Sequence, residues 1–97
     1  MAQVTWSESA KGELRQIYEY ISAHSEKYAW RMVVRIVDKT GILSEFPRIG
    51  RVVPELDDEN LRELVEGSYR IIYEVVDNSW VNILRIHHSA RLLNEEA

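Results

Sequence analysis

The chain contains no cysteine among its 97 residues, so neither a disulfide framework nor a thiolate metal site is available to it. It has only two prolines, Pro47 and Pro54, which leaves the rest of the chain open to long regular elements. No apolar run approaches the ~18 residues that a membrane-crossing helix needs. The first residues, Met1-Ala2-Gln3-Val4, lack the basic and apolar regions of a secretory signal. The expectation is a cytoplasmic protein without a membrane partner. Also missing are a phosphate-cradling glycine loop, metal-ligand spacing and a serine–histidine–acid signature. No metal, cofactor or small-molecule substrate is therefore expected.

A surplus of positive charge is lacking too. The formal charge is −4, whereas a non-specific nucleic-acid binder is usually basic. The distribution qualifies the total. Six acids, Glu55, Asp57, Asp58, Glu59, Glu63 and Glu66, fall within one twelve-residue stretch. Six of the twelve basic residues lie at Arg48 and beyond, and all six are arginine. Arginine is the cation whose planar fork matches a phosphate or a carboxylate.

What is present reads as one α+β domain over residues 1–97, in the order β-α-α-β-β-β, with a helical hairpin packed on an antiparallel sheet. Val4-Thr5-Trp6 is a β-prone start. Ser7 fits a helix N-cap, and Ala10, Leu14, Ile17, Tyr18 and Ile21 form one apolar stripe, predicting a helix from Ser9 to His24. A second helix is predicted from Glu26 to Glu45. Its Ala29, Val33, Ile36, Thr40 and Leu43 make one stripe, and Trp30, Val34 and Val37 a second, offset around the axis. Either both stripes pack into the protein's own core or the second receives a partner chain. Pro47, Gly50 and Pro54 break up the following segment, and Glu55–Asn60 reads as an exposed acidic loop.

From there the period becomes two. Leu61–Glu66, Tyr69–Val76 and Trp80–His88 are strands separated by Gly67-Ser68 and Asp77-Asn78-Ser79, a β-meander. Ala90–Glu96 is read as a short closing helix. In the third strand Tyr69, Ile71, Tyr73 and Val75 face the helices, while Arg70, Ile72, Glu74 and Val76 face away. A two-residue turn at Asp77-Asn78 places Arg70 opposite Arg85, with His87 on the same outer face and His88 on the core side. A three-residue turn shifts the register and exchanges the histidines. Opposed arginines repel. Their pairing implies an anionic ligand, or neutralisation by Glu74, Glu63 or the C-terminal acids.

The runs Trp6-Ser7, Tyr20-Ile21, Gly50-Arg51, Val53-Pro54, Arg62-Glu63-Leu64, Tyr69-Arg70-Ile71-Ile72-Tyr73 and Ile86-His87-His88-Ser89-Ala90-Arg91, in that order and spacing, resemble the RelE/ParE toxin superfamily. The resemblance spans nearly the whole chain. It implies the growth-inhibiting toxin of a bacterial type II toxin–antitoxin module, the kind associated with plasmid stabilisation, neutralised by a cognate antitoxin. Two outcomes follow from it. RelE-like members enter the ribosome and cut mRNA without a metal; ParE-like members poison DNA gyrase and have no known chemistry of their own. Under the nuclease outcome Arg70 and Arg91 hold the phosphate and His87 or His88 moves the proton. Under either outcome Arg62 and Arg85 are target-contact candidates, and Trp30, Val34 and Val37 are antitoxin-binding candidates. The sparse basic residues of the second strand and the acidic total favour the ParE-like outcome. A non-toxic binding module on the same fold is the third class.

Overall fold

The computed structural model describes residues 1–89. The predicted closing helix at Ala90–Glu96 and the candidate Arg91 lie outside the described residues. The elements are β1 (Gln3–Trp6), α1 (Glu8–Ser22), α2 (Glu26–Thr40), a 3-10 turn (Gly41–Ser44), β2 (Arg51–Val52), β3 (Leu61–Glu66), β4 (Tyr69–Asp77) and β5 (Trp80–His88). They form a five-stranded sheet in the order β1-β5-β4-β3-β2 with the helical pair against it. The meander β2–β5 is antiparallel and β1 runs parallel to β5 at one edge. The α+β expectation holds, with β2 as an added two-residue strand and β1 as the one parallel member.

Local chemistry accounts for the helix starts. The Ser7 hydroxyl accepts from the Ala10 N–H at 3.0 Å and donates to the Leu84 carbonyl at 2.9 Å, so a single side chain caps α1 and ties it to β5. Ser25 caps α2 in the same way, accepting from the Tyr28 N–H at 3.1 Å. The second helix ends at Thr40 rather than at Glu45. Its last residues tighten into the 3-10 turn, where the Ser44 hydroxyl bonds back to the Gly41 carbonyl.

Ala10 and Ile17 of α1 and Met32 and Ile36 of α2 pack with Leu43, Ile71, Tyr73, Val75, Val81, Ile83 and Ile86 to make the core. Ile71, Tyr73 and Val75 face the helices as the alternation requires. The stripe of Trp30, Val34 and Val37 does not join them. These residues are 62%, 38% and 41% exposed, which rules out the reading that both stripes of α2 serve the protein's own core.

Around Arg70 the β4–β5 register differs by two residues from that of a two-residue turn at Asp77-Asn78, and over Tyr73–Val75 by one. Arg70 pairs with His87, and Ile72 with Arg85. The turn residues are Asn78 and Ser79, since Asp77 already pairs with Trp80. The Asp77 carboxylate accepts from both the N–H and the hydroxyl of Ser79 at 2.8 Å, which fixes that turn and holds its pKa below the usual range. Irregularities between Ile72 and Tyr73 and between Val75 and Asp77 offset one another. A slip of two preserves the faces, so His87 does lie on the outer side with Arg70, and His88 on the helix side with Ile86. The two arginines do not oppose each other.

Candidate functional site

The outer face of the sheet is organised around Arg70, on the middle strand β4. Its cross-strand neighbours are Val65 of β3 and His87 of β5, and both Arg70 and His87 are buried. One strand over, Glu63 pairs with Arg51 of β2 and Ile72 of β4 on the same face. Beyond β2 the chain turns at Pro54, and the segment of residues 53–60 brings Glu55 back towards Arg70.

These residues form a closed ionic quartet. The Arg70 Nε donates to Glu63 Oε1 at 2.7 Å, and Nη2 lies in ion-pair contact with the same oxygen at 2.6 Å. Its Nη1 donates to Glu55 Oε2 at 2.7 Å, and its Nη2 to Glu55 Oε1 at 2.8 Å. The other oxygen of Glu63 accepts from Arg51 Nε. Two cations and two carboxylates sum to zero. The paired fork geometry is the one in which charge-assisted bonds are strongest. The hydrogen bonds from Arg70 hold Glu55 down to about 2, and those from Glu55 hold Arg70 above its ordinary value. Arg70 is therefore not an open cation awaiting a phosphate. Sequence reasoning placed it on the correct face and overestimated its exposure, because the acid that covers it sits in a segment read only as loop.

The remaining sheet arginines are also engaged. Arg62 donates from Nε to the Glu59 carbonyl at 2.9 Å and from Nη1 to the carbonyls of Arg48 and Gly50, each at 3.1 Å. It thereby pins both ends of the β2 connection. Arg85 donates to Glu13 of α1 from Nε at 2.9 Å and Nη2 at 2.8 Å. The second oxygen of Glu13 accepts from the Ile86 N–H at 2.8 Å, on the part of β5 that β1 does not reach. Glu13 thus covers a length of otherwise unpaired strand edge.

On the helix side His88 meets the Tyr69 ring edge-on, with centroids 5.2 Å apart. The two histidines stand on opposite faces and cannot share an ion. Among the described residues no group of His, Asp or Glu is arranged to hold a metal. No helix among them is long and apolar enough to cross a membrane. On the opposite flank of the molecule, Trp30 packs edge-on against Tyr18 of α1 at 6.3 Å, beside a shallow apolar pocket lined by Lys11, Leu14, Arg15, Tyr18, Trp30 and Val33.

The site so built is a helical pair on a meander sheet, with an ionic quartet on the outer sheet face and Trp30, Val34 and Val37 exposed on the second helix. The chain belongs to the family described as ParE toxin of type II toxin-antitoxin system, parDE, whose model matches residues 4–93. It is 39% identical over 92 residues to Toxin RelE2 of Caulobacter vibrioides, covering 95% of this chain and 100% of that one. Its fold is similar to the chromosomal ParDE system from P. aeruginosa, with a TM-score of 0.73 at 23% identity over 91% of this chain and 96% of that one. It is also similar to the toxin–antitoxin complex RelBE2 from Mycobacterium tuberculosis, with a TM-score of 0.65 at 23% identity over 93% of each chain. The sequence resemblance to the RelE/ParE superfamily is thus confirmed, and the chain is a type II toxin of that superfamily.

Proposed function

We propose that this toxin arrests bacterial growth by poisoning DNA gyrase through protein–protein contact in the cytoplasm, without chemistry of its own, and that a cognate antitoxin restrains it. The observation that carries this reading is the state of the sheet arginines. Among the described residues Arg51, Arg62, Arg70 and Arg85 are each committed to a carboxylate or to main-chain carbonyls. Metal-independent RNA cleavage needs cations aimed at the crowded phosphate. A neutralised quartet supplies no net charge there, and the formal charge of −4 repels a polyanion at longer range. Arg62 and Arg85 enter this proposal as target contacts. The test adds purified toxin to a gyrase supercoiling reaction. Loss of supercoiling with trapped gyrase–DNA complexes is expected, and unimpaired gyrase at stoichiometric excess would overturn the reading.

One observation favours the ribosome-dependent nuclease as a second reading. His87 sits directly across from Arg70, which puts an imidazole beside a guanidinium, the pair of groups that such cleavage would use once Arg70 is released from its carboxylates. Under that reading Arg70→Ala abolishes codon-positioned cuts in a translating extract.

The antitoxin is expected to lie on the second stripe of α2. The structures similar to this one include toxin–antitoxin pairs. Here Trp30, Val34 and Val37 are exposed, with Lys11 and Arg15 at the neighbouring pocket. An acidic amphipathic helix that orders on binding fits such a surface, its apolar side on Trp30 and its carboxylates towards the cations.

A further inference from the structure

The two carboxylates on Arg70 are not equivalent. Glu63 belongs to a central stretch of β3, its side chain is 0% exposed, and it is shared with Arg51. Glu55 belongs to the irregular segment between β2 and β3, its side chain is 40% exposed, and Arg70 is its only ion-pair partner among the described residues. That segment is closed on itself. The N–H groups of Leu56 and Asp57 both donate to the Val53 carbonyl, and Asp57 adopts a positive φ of 49°. The ends of the segment are tied to the sheet by the Val53 N–H on the Leu61 carbonyl and by Arg62 on the Glu59 carbonyl, and Glu55 is the side chain that carries it onto Arg70. Glu55 engages Nη1 and Nη2 of Arg70; Nη2 is shared with Glu63, whereas Nη1 is held by Glu55 alone.

We propose that this outer edge of Arg70 is a carboxylate-binding site occupied by the toxin's own Glu55, and that a protein partner engages it by exchanging one of its own Asp or Glu side chains for Glu55. A buried guanidinium stripped of Glu55 would leave Nη1 without its acceptor, a costly state that any incoming carboxylate relieves. Exchange of one carboxylate for another conserves both hydrogen bonds and the net charge, so it needs only a partner that supplies the group at high local concentration. The planar fork suits a planar carboxylate. The neighbouring acids Asp57, Asp58 and Glu59 disfavour a phosphodiester chain, which would bring several charges past them. A single acidic side chain on an otherwise neutral or basic surface avoids that repulsion, and the exposed Arg51 beside the site gives it a second contact. The proposal does not rest on gyrase being the target.

The test follows the Arg70 Nε–Hε resonance by NMR in wild-type toxin and in Glu55→Gln. The titrants are a capped alanine peptide bearing one glutamate, the same peptide with glutamine, and inorganic phosphate. Glu55→Gln should bind the glutamate peptide at least tenfold more tightly than wild type does, with no response to the glutamine peptide. Equal affinity in wild type and variant would overturn the proposal, and so would phosphate binding more tightly than the glutamate peptide. Circular dichroism establishes that the variant is folded. Should it not fold, Glu55→Asp, which withdraws the carboxylate by one methylene, takes its place, with a severalfold gain expected and no gain refuting the exchange.

Discussion

Single residues decide how the outer face is built, and Gly50 is the tightest of them. A Cβ there would run into the main-chain oxygen of Glu63 and lie 2.7 Å from the Tyr73 hydroxyl. That hydroxyl accepts from the Gly50 N–H at 3.0 Å, deep in the core. Gly50→Ala should therefore cost on the order of 1–3 kcal/mol, seen as a lowered Tm in thermal unfolding. Glu63 is the second decisive residue. Its removal leaves Arg70 and Arg51 without their shared carboxylate, and loss of one partner of a buried pair costs about 3–5 kcal/mol. Urea unfolding of Glu63→Ala would measure it, and a change within ~0.5 kcal/mol would contradict the ionic quartet. Glu55 sets a dependence on acid. Its folded pKa lies below the ordinary 4.5, at about 2, so its contribution to stability is complete above 4.5 and is lost as pH falls towards 2. The acid limb of the stability curve should flatten across that window in Glu55→Gln.

Elements show what periodicity can and cannot say. The first helix start was legible because Ser7 is a capping side chain ahead of an apolar stripe, and the strands because Leu61–Glu66 and Trp80–His88 alternate between bracketing turns; the Ser25 cap of α2 was not singled out. Which face Arg70 takes was equally legible, since parity along a strand survives a two-residue slip. Of its two partners, Glu63 was among the acids named and Glu55 was not. The Glu55–Arg70 contact joins a strand to an irregular segment fifteen positions away, and nothing in local pattern encodes that. Opposed arginines were expected because the turn was placed one residue early, a two-residue difference in pairing that carries through to Arg70 since the offsets along β4 and β5 cancel. The offset stripe of α2 was visible, whereas its exposure depended on where α1 crosses. Because Trp30 is 62% exposed, Trp30→Asp should shift folding stability by less than about 1 kcal/mol. The same change should weaken antitoxin binding roughly thirtyfold, the loss of one interface anchor worth ~2 kcal/mol, as read by calorimetry. Collapse of the fold instead would make Trp30 a core residue.

At the scale of the whole molecule, charge arrangement is the observation that bears on the proposed choice between gyrase contact and RNA cleavage. The protein is acidic in total, and its sheet arginines are engaged by acids and carbonyls of the chain itself. Such a surface suits contact with a folded protein better than capture of a message. Primer extension on abundant messages, with chromosomal DNA integrity followed in the same culture minutes after induction without antitoxin, is the most direct measurement. Intact messages with gyrase-linked DNA breaks are expected; cuts at fixed codon positions on undamaged DNA would contradict the account.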